Sequence, residues 1–417
     1  METNFALISL LALIAVFVIG AFKKNPLHLG ILAMAVAYLL GKWVGMKDTA
    51  IYGLFPTTMF VRVFGIMFFF AIAQANGAIE LLAKKMVKKG GANAKLMPFV
   101  LFYIGVILGS IGINSLAGMA ILSGIGISLA VASNNNALLY GIAGGYGIAC
   151  GCYSPINEYT ANIISAAEGA GLSYNLWSIY LLNLLAFSLS FLVIYFLLGG
   201  HKGNGKLDTS VVEDTGKFSR GQLITLLGIP AIVIVVAVFG LDIGWAGLLV
   251  AVVCILLGAE KCGKVLKTVS LPSLILICGV GTLVNLVNNQ EGFTLMSNAL
   301  TKIMNTTTSA PIMTLTASAL SLFTISRLVV VTLVPTIPGI LETLPAASPA
   351  LVLAATCAGA FASSIGPLSA NGALIMSNLS QQFGEEAASK QFSKQMLMGI
   401  VGAFVVAAFY LILSLFA

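Results

Sequence analysis

Apolar runs of nearly membrane-spanning length recur along this chain, with few charges between them. They fall at Phe5–Phe22, Leu27–Leu40, Met59–Ala75, Leu176–Leu198, Leu223–Phe239, Ile243–Leu257, Leu271–Val287 and Met396–Phe416. A bilayer-spanning helix needs about 20 apolar residues, so the shorter runs must draw on their flanks. Only 8% of the 417 residues are charged and 59% are hydrophobic, whereas a soluble domain carries about 25% charged residues. No water-facing surface can be covered that way, and lipid becomes the solvent for most of the chain. The fold class is therefore an all-α polytopic membrane protein. The first run has no Lys or Arg before it and no small-residue cleavage site, so it reads as a retained span.

Two regions, about 95–131 and 309–341, are apolar but interrupted midway by polar residues and glycine. Each is followed by another interrupted stretch, about 137–164 and 349–378. The chain matches itself weakly at a fixed offset. Ile113-Asn114-Ser115-Leu116 falls on Ile325-Ser326-Arg327-Leu328 at 212 (325 − 113), as do Gly147 on Gly359 and Pro155 on Pro367. Ala75-Asn76-Gly77 falls on Gln290-Glu291-Gly292 at 215 (292 − 77). The expected organisation is a first repeat at 1–200, a hydrophilic linker at 201–220 and a second repeat at 221–417. If each interrupted hairpin is re-entrant, each repeat crosses the bilayer five times. An odd count forces the repeats into opposite orientations, an inverted repeat with broken helices at the midplane.

Basic residues fit that plan. With the N-terminus outside, the inner loops collect 16 of the 21 Lys and Arg residues, including Lys23, Lys24, Lys84, Lys206, Lys261 and Lys394. Both termini then lie outside the cytoplasmic membrane. The run Lys84-Lys85-Met86-Val87-Lys88-Lys89 reads as an inner-face anchor ending the third span. All six cysteines read as reduced core thiols, and both histidines fall in loops.

Broken helices at bilayer depth present free N–H groups to anions and free carbonyls to cations. The first hairpin tip is Gly109-Ser110-Ile111-Gly112-Ile113-Asn114-Ser115, and its partner break is Gly151-Cys152-Tyr153-Ser154-Pro155-Ile156-Asn157. The second tip is Thr324-Ile325-Ser326-Arg327, with the break at Ser363–Asn371. Candidate substrate ligands are Asn114, Ser115, Asn157, Ser326, Arg327, Ser369 and Asn371. Candidate Na⁺ ligands are Ser110, Asn114, Ser154, Asn157 and Ser364, with Glu158 as a proton or cation site. The structural alternative is that these Ser and Asn side chains only join helices. Arg327 has three readings. Its planar fork suits a substrate carboxylate, it snorkels to the outer surface, or it neutralises Glu342 or Glu158.

Phe22-Lys23-Lys24-Asn25, Ala73-Gln74-Ala75-Asn76-Gly77 and Ser154-Pro155-Ile156-Asn157 resemble the N-terminal region of the malonate/dicarboxylate carrier (MatC-type) family. The whole plan is similar to the ion transporter superfamily, which includes the divalent anion/sodium symporters. In that group a Ser-Asn-Thr motif sits at each tip, sodium binds between tip and break, and the two tips share the substrate. The resemblance implies an elevator motion of hairpins and broken spans against a scaffold. This chain departs from the motif at Ile113-Asn114-Ser115, and again at Ile325-Ser326-Arg327, where a cation replaces the last hydroxyl.

The expected function is Na⁺- or H⁺-coupled uptake of a small dicarboxylate such as malonate, succinate or malate. The expected protein has no cofactor beyond a coupling Na⁺, works as a homodimer in the lipid bilayer and has no nucleic-acid partner. Rival readings are a cation/proton antiporter or another organic-anion permease of that superfamily. An intramembrane enzyme would need paired catalytic groups at depth, and the sequence offers none, so the chain is not expected to be an enzyme.

Overall fold

Asparagine, serine and proline set where this chain starts its helices, and glycine sets how closely they pack. The computed structural model describes residues 2–21, 27–91, 93–203, 207–208, 212, 216–322 and 324–416. The Phe22–Asn25 motif, Lys206 and much of the 201–220 linker lie outside the described residues.

The regular elements are helices. The chain opens with α1 (Glu2–Ala21), α2 (Leu29–Trp43), α3 (Asp48–Tyr52), α4 (Thr57–Ala75) and α5 (Ala78–Lys89). A first hairpin follows, α6 (Met97–Ser110) and α7 (Ser115–Ala132). Then come α8 (Ala137–Gly151), α9 (Glu158–Gly169) and α10 (Leu176–Leu197). The same order returns as α11 (Arg220–Phe239), α12 (Ile243–Leu256), α13 (Cys262–Thr268), α14 (Leu271–Asn289) and α15 (Gly292–Thr301). The second hairpin is α16 (Ser309–Ser321) with α17 (Ser326–Leu333) and α18 (Ile337–Thr343). The last elements are α19 (Pro349–Ala362), α20 (Ala370–Phe383), α21 (Glu385–Ser389) and α22 (Phe392–Ser414). Seven segments among the described residues are long and apolar enough to cross a membrane.

The interruptions fall where the sequence places them. Asn114, Asn157 and Ser369 cap α7, α9 and α20 by accepting backbone N–H groups at the start of each helix. The lysine run differs from expectation. It belongs to a separate amphipathic helix, α5, and does not end the third span. The chain turns at Gly77, whose φ of +73° favours glycine. Cys262 is also a correction, since it lies exposed while the other five cysteines are buried. It sits in the charged connector Lys261-Cys262-Gly263-Lys264, outside any apolar run.

Glycine lets α6 and α8 run side by side. A Cβ on Gly147 would lie 2.0 Å from the Phe102 carbonyl oxygen, and one on Gly109 would lie 2.5 Å from that of Ile148. Along α8, Gly144 meets Leu122 of α7, and Gly126 of α7 meets Tyr140, so α7 runs antiparallel to α8. The hairpin thus leaves and returns at the level where α8 begins, where Tyr140 also donates to the Ala94 carbonyl at 2.7 Å. Its tip stops at the α8–α9 break, about 21 Å in for the 14 residues of α6. In the second half α16 runs beside α19. Thr314 donates to the Ala355 carbonyl at 3.1 Å, Ser318 to that of Gly359 at 3.0 Å, and Ser363 to that of Ser318 at 2.7 Å.

The halves are interlocked. Gly30 of α2 sits against α14 at Ile275 and Gly279, while Gly65 of α4 sits against α12 at Gly244. Glu80 near the start of α5 and Thr268 at the end of α13 line one cavity, and the face on which it opens is the lysine face, after the lysines of these two helices.

Candidate functional site

Glu158, the first residue of α9, is 2% exposed, and Arg327, the second of α17, is 6% exposed. The Arg327 Nη2 donates to the Glu158 Oε1, joining the second hairpin tip to the first break. The same oxygen accepts the Asn114 Nδ2 at 2.6 Å. A cation here needs a partner, because a charge at bilayer depth costs roughly 2.5–3.5 kcal/mol or more. Of the three readings of Arg327, neutralisation by Glu158 is the one the structure displays. Glu342 is exposed at the end of α18, and Arg327 is too buried to snorkel.

Several candidate residues meet around this pair. Ser115, Ser326, Arg327 and Asn371 line one small pocket of about 10 Å³, closed by Ile325 and Phe361. The Asn371 Oδ1 is buried there with no hydrogen-bond partner among the described residues. Ser115 and Ser326 are the first residues of α7 and α17, where the backbone N–H groups are unpaired by the helix.

Other candidates are engaged elsewhere. Asn157 caps α9 and donates its Nδ2 to the carbonyls of Gly109 at 2.8 Å and Ile113 at 3.2 Å. It latches the break to the tip and turns no side-chain oxygen to a cation. The Asn114 Oδ1 accepts from Leu116 and Ala117. Ser110 pairs with the Tyr180 hydroxyl on α10 at 2.8 Å. Ser364 donates to the Phe361 carbonyl at 2.7 Å, and Ser369 bonds within its own break. Ser154 is buried, and its carbonyl accepts from Thr160 at 2.7 Å. The side chains of Ser110, Asn114, Asn157 and Ser364 are thus engaged in hydrogen bonds within the protein.

A cavity of about 420 Å³ reaches the pair from the lysine face. It is lined by Gln74, Gly77, Glu80, Thr268 and Ser270 at its mouth side, and by Asn114 and Glu158 at its floor. Arg327 does not line it. A second cavity, also about 420 Å³, lies on the opposite face among Pro56, Ser165, Glu168, Asn285 and Val331. Glu158 begins α9, which runs on to Ser165, and Val331 is one turn past Arg327, so the ion pair lies between the two cavities.

A second charged cluster, which sequence reasoning missed, lies beside that far cavity. Arg62 of α4 donates to Glu168 at 2.6 Å and to Asp242, which caps α12, at 2.5 Å. Tyr174 donates to Glu168 at 2.8 Å. Partial burial, and then that carboxylate, push its hydroxyl up to about 12. The signal was present only as three isolated charges far apart in the chain.

Residues 3–152 match the family model described as the dicarboxylate carrier protein MatC N-terminus. Over those residues the chain is similar to that carrier family. The match spans α1 to α8 and stops at Cys152, before Glu158 and the whole second half. A solved structure of the YdaH transporter from Alcanivorax borkumensis is similar over 100% of this chain and 98% of its own, with a TM-score of 0.66 and 14% identity. At that identity the likeness concerns the fold. Among the curated proteins compared, none matches. The family matched over α1 to α8 is one of carriers.

Proposed function

We propose that the chain is a secondary active transporter that takes up a small dicarboxylate, such as malonate, succinate or malate, together with cations. The observation that carries this reading is Arg327 at the second tip, buried beside Ser115, Ser326 and the unpaired Asn371 oxygen. A planar guanidinium fork with hydroxyl and N–H donors around it suits a carboxylate. The carrier family of the N-terminal region agrees with that chemistry.

Coupling follows from charge. Moving a dianion inward against an inside-negative potential costs roughly 4.6 kcal/mol per 100 mV, at about 2.3 per charge. Two accompanying cations cancel that cost, and three reverse it. We read the lysine face as cytoplasmic, the halves as inverted repeats and the two cavities as alternate approaches to one site. The glycine contacts that bind each hairpin to its neighbouring broken helix support motion of these elements as one body, as an elevator requires.

The test is uptake by proteoliposomes of a dicarboxylate panel under separate Na⁺ and pH gradients. Saturable uptake of at least one member under one gradient is expected. No uptake of any member under either gradient would remove the dicarboxylate reading.

A further inference from the structure

Arg327 already holds a carboxylate. The Glu158 Oε1 takes both the Arg327 Nη2 and the Asn114 Nδ2, so a donor that a substrate carboxylate would use is already occupied by a carboxylate. Glu158 also stands in the way. It lines the floor of the cavity from the lysine face, and Arg327 does not. An anion arriving through that cavity meets Glu158 and Asn114 before it can reach the guanidinium.

We propose that Glu158 is a built-in competitor for the substrate. Its side chain keeps a carboxylate's place on Arg327, and a dicarboxylate binds by displacing it towards the cavity. This rests on the dicarboxylate reading above and gives it a mechanism. Before the exchange the pair is neutral. Afterwards one guanidinium faces two substrate carboxylates and the freed Glu158, a local balance of two negative charges. Like charges so close in a site with little water repel strongly. The released Glu158 is then the group that must take up a cation, so substrate binding and cation binding become one event. The return of Glu158 to Arg327 also expels the substrate carboxylate, which prevents a deeply buried arginine from trapping its anion.

The measurement is equilibrium binding of succinate and malonate to the purified full chain in lipid nanodiscs, with size-exclusion chromatography to confirm folding. Glu158→Gln removes the competing charge and keeps the shape. It should bind whichever probe the unaltered chain binds about tenfold tighter, a ratio equal to about 1.4 kcal/mol. In proteoliposomes it should exchange substrate across the membrane yet fail to accumulate it. Glu158→Asp keeps the charge on a shorter arm and should bind about threefold tighter. It covers the case in which Glu158→Gln does not fold. Arg327→Gln should abolish binding. Equal or weaker binding by Glu158→Gln, or by Glu158→Asp where only that variant folds, overturns the proposal. It does so without touching the dicarboxylate reading if the unaltered chain still transports. If the unaltered chain binds and moves no dicarboxylate, both fall together.

Discussion

Arg327 and Glu158 are 169 residues apart in sequence and meet at one buried carboxylate oxygen. Removing one partner of a buried pair strands the other charge, which destabilises by about 3–5 kcal/mol. Arg327→Ala should therefore unfold more easily in detergent by about that amount, measured by chemical denaturation, as well as losing transport. Removing both charges with Glu158→Gln and Arg327→Gln should cost less than Arg327→Ala alone, because no charge is left unpaired. A loss below about 1 kcal/mol for Arg327→Ala would mean the pair behaves as a solvated one. The sequence named both residues and offered their pairing as one reading of three. Its register for the two tips differs by one residue from the register of the helix starts. Matching Ile113 to Ile325 sets Arg327 on Ser115, but the helices begin after Asn114 and after Ile325, an offset of 211 (325 − 114). Ser115 then corresponds to Ser326, and Arg327 to Leu116. The capping asparagine of one tip is an isoleucine in the other, so identity alone could not find the helix starts.

At the scale of elements, each break works because a side chain supplies what the interrupted backbone lacks. Asn157 accepts from the Tyr159 N–H at 2.8 Å and returns two hydrogen bonds to the first tip. Asn157→Ala loses a cap and leaves two buried carbonyls short, a loss of about 2–3 kcal/mol. Asn157→Asp keeps the cap but turns an acceptor towards both carbonyls, so its thermal stability in detergent should fall below that of the alanine variant. The reverse order would show that the tip does not depend on this latch. The breaks were legible because Pro, Gly, Ser and Asn interrupt otherwise apolar runs. The short helices α3, α5, α13, α15 and α21 were not. Their polar and charged residues read as loops, and α5 and α15 use left-handed residues, Gly77 and Glu291, to change direction.

Across the whole molecule, the glycine crossings carry the relation between halves further than the tips do. Gly30 on α2 packs against Gly279 on α14, and Gly65 on α4 packs against Gly244 on α12. The two crossings are related by one offset, 214 (244 − 30 and 279 − 65), so each half lends the other the same helix–helix contact. That reciprocity supports inverted repeats, and an inverted pair has a topological consequence. The same offset places Asp48, the first residue of α3, on Cys262, the first of α13 (262 − 48). Asp48 is exposed and paired with Lys42 at 2.9 Å, while Cys262 is exposed on the lysine face. In right-side-out vesicles a membrane-impermeant maleimide should leave the native chain unlabelled until the membrane is permeabilised, and Cys262→Ser should abolish that labelling. In the Cys262→Ser background, Asp48→Cys should be labelled without permeabilisation, because its equivalent position must emerge on the other side. Labelling of both positions from one side would make the halves parallel. Labelling of Cys262 in intact vesicles, with Asp48→Cys protected, would keep the inversion but turn the lysine face outward.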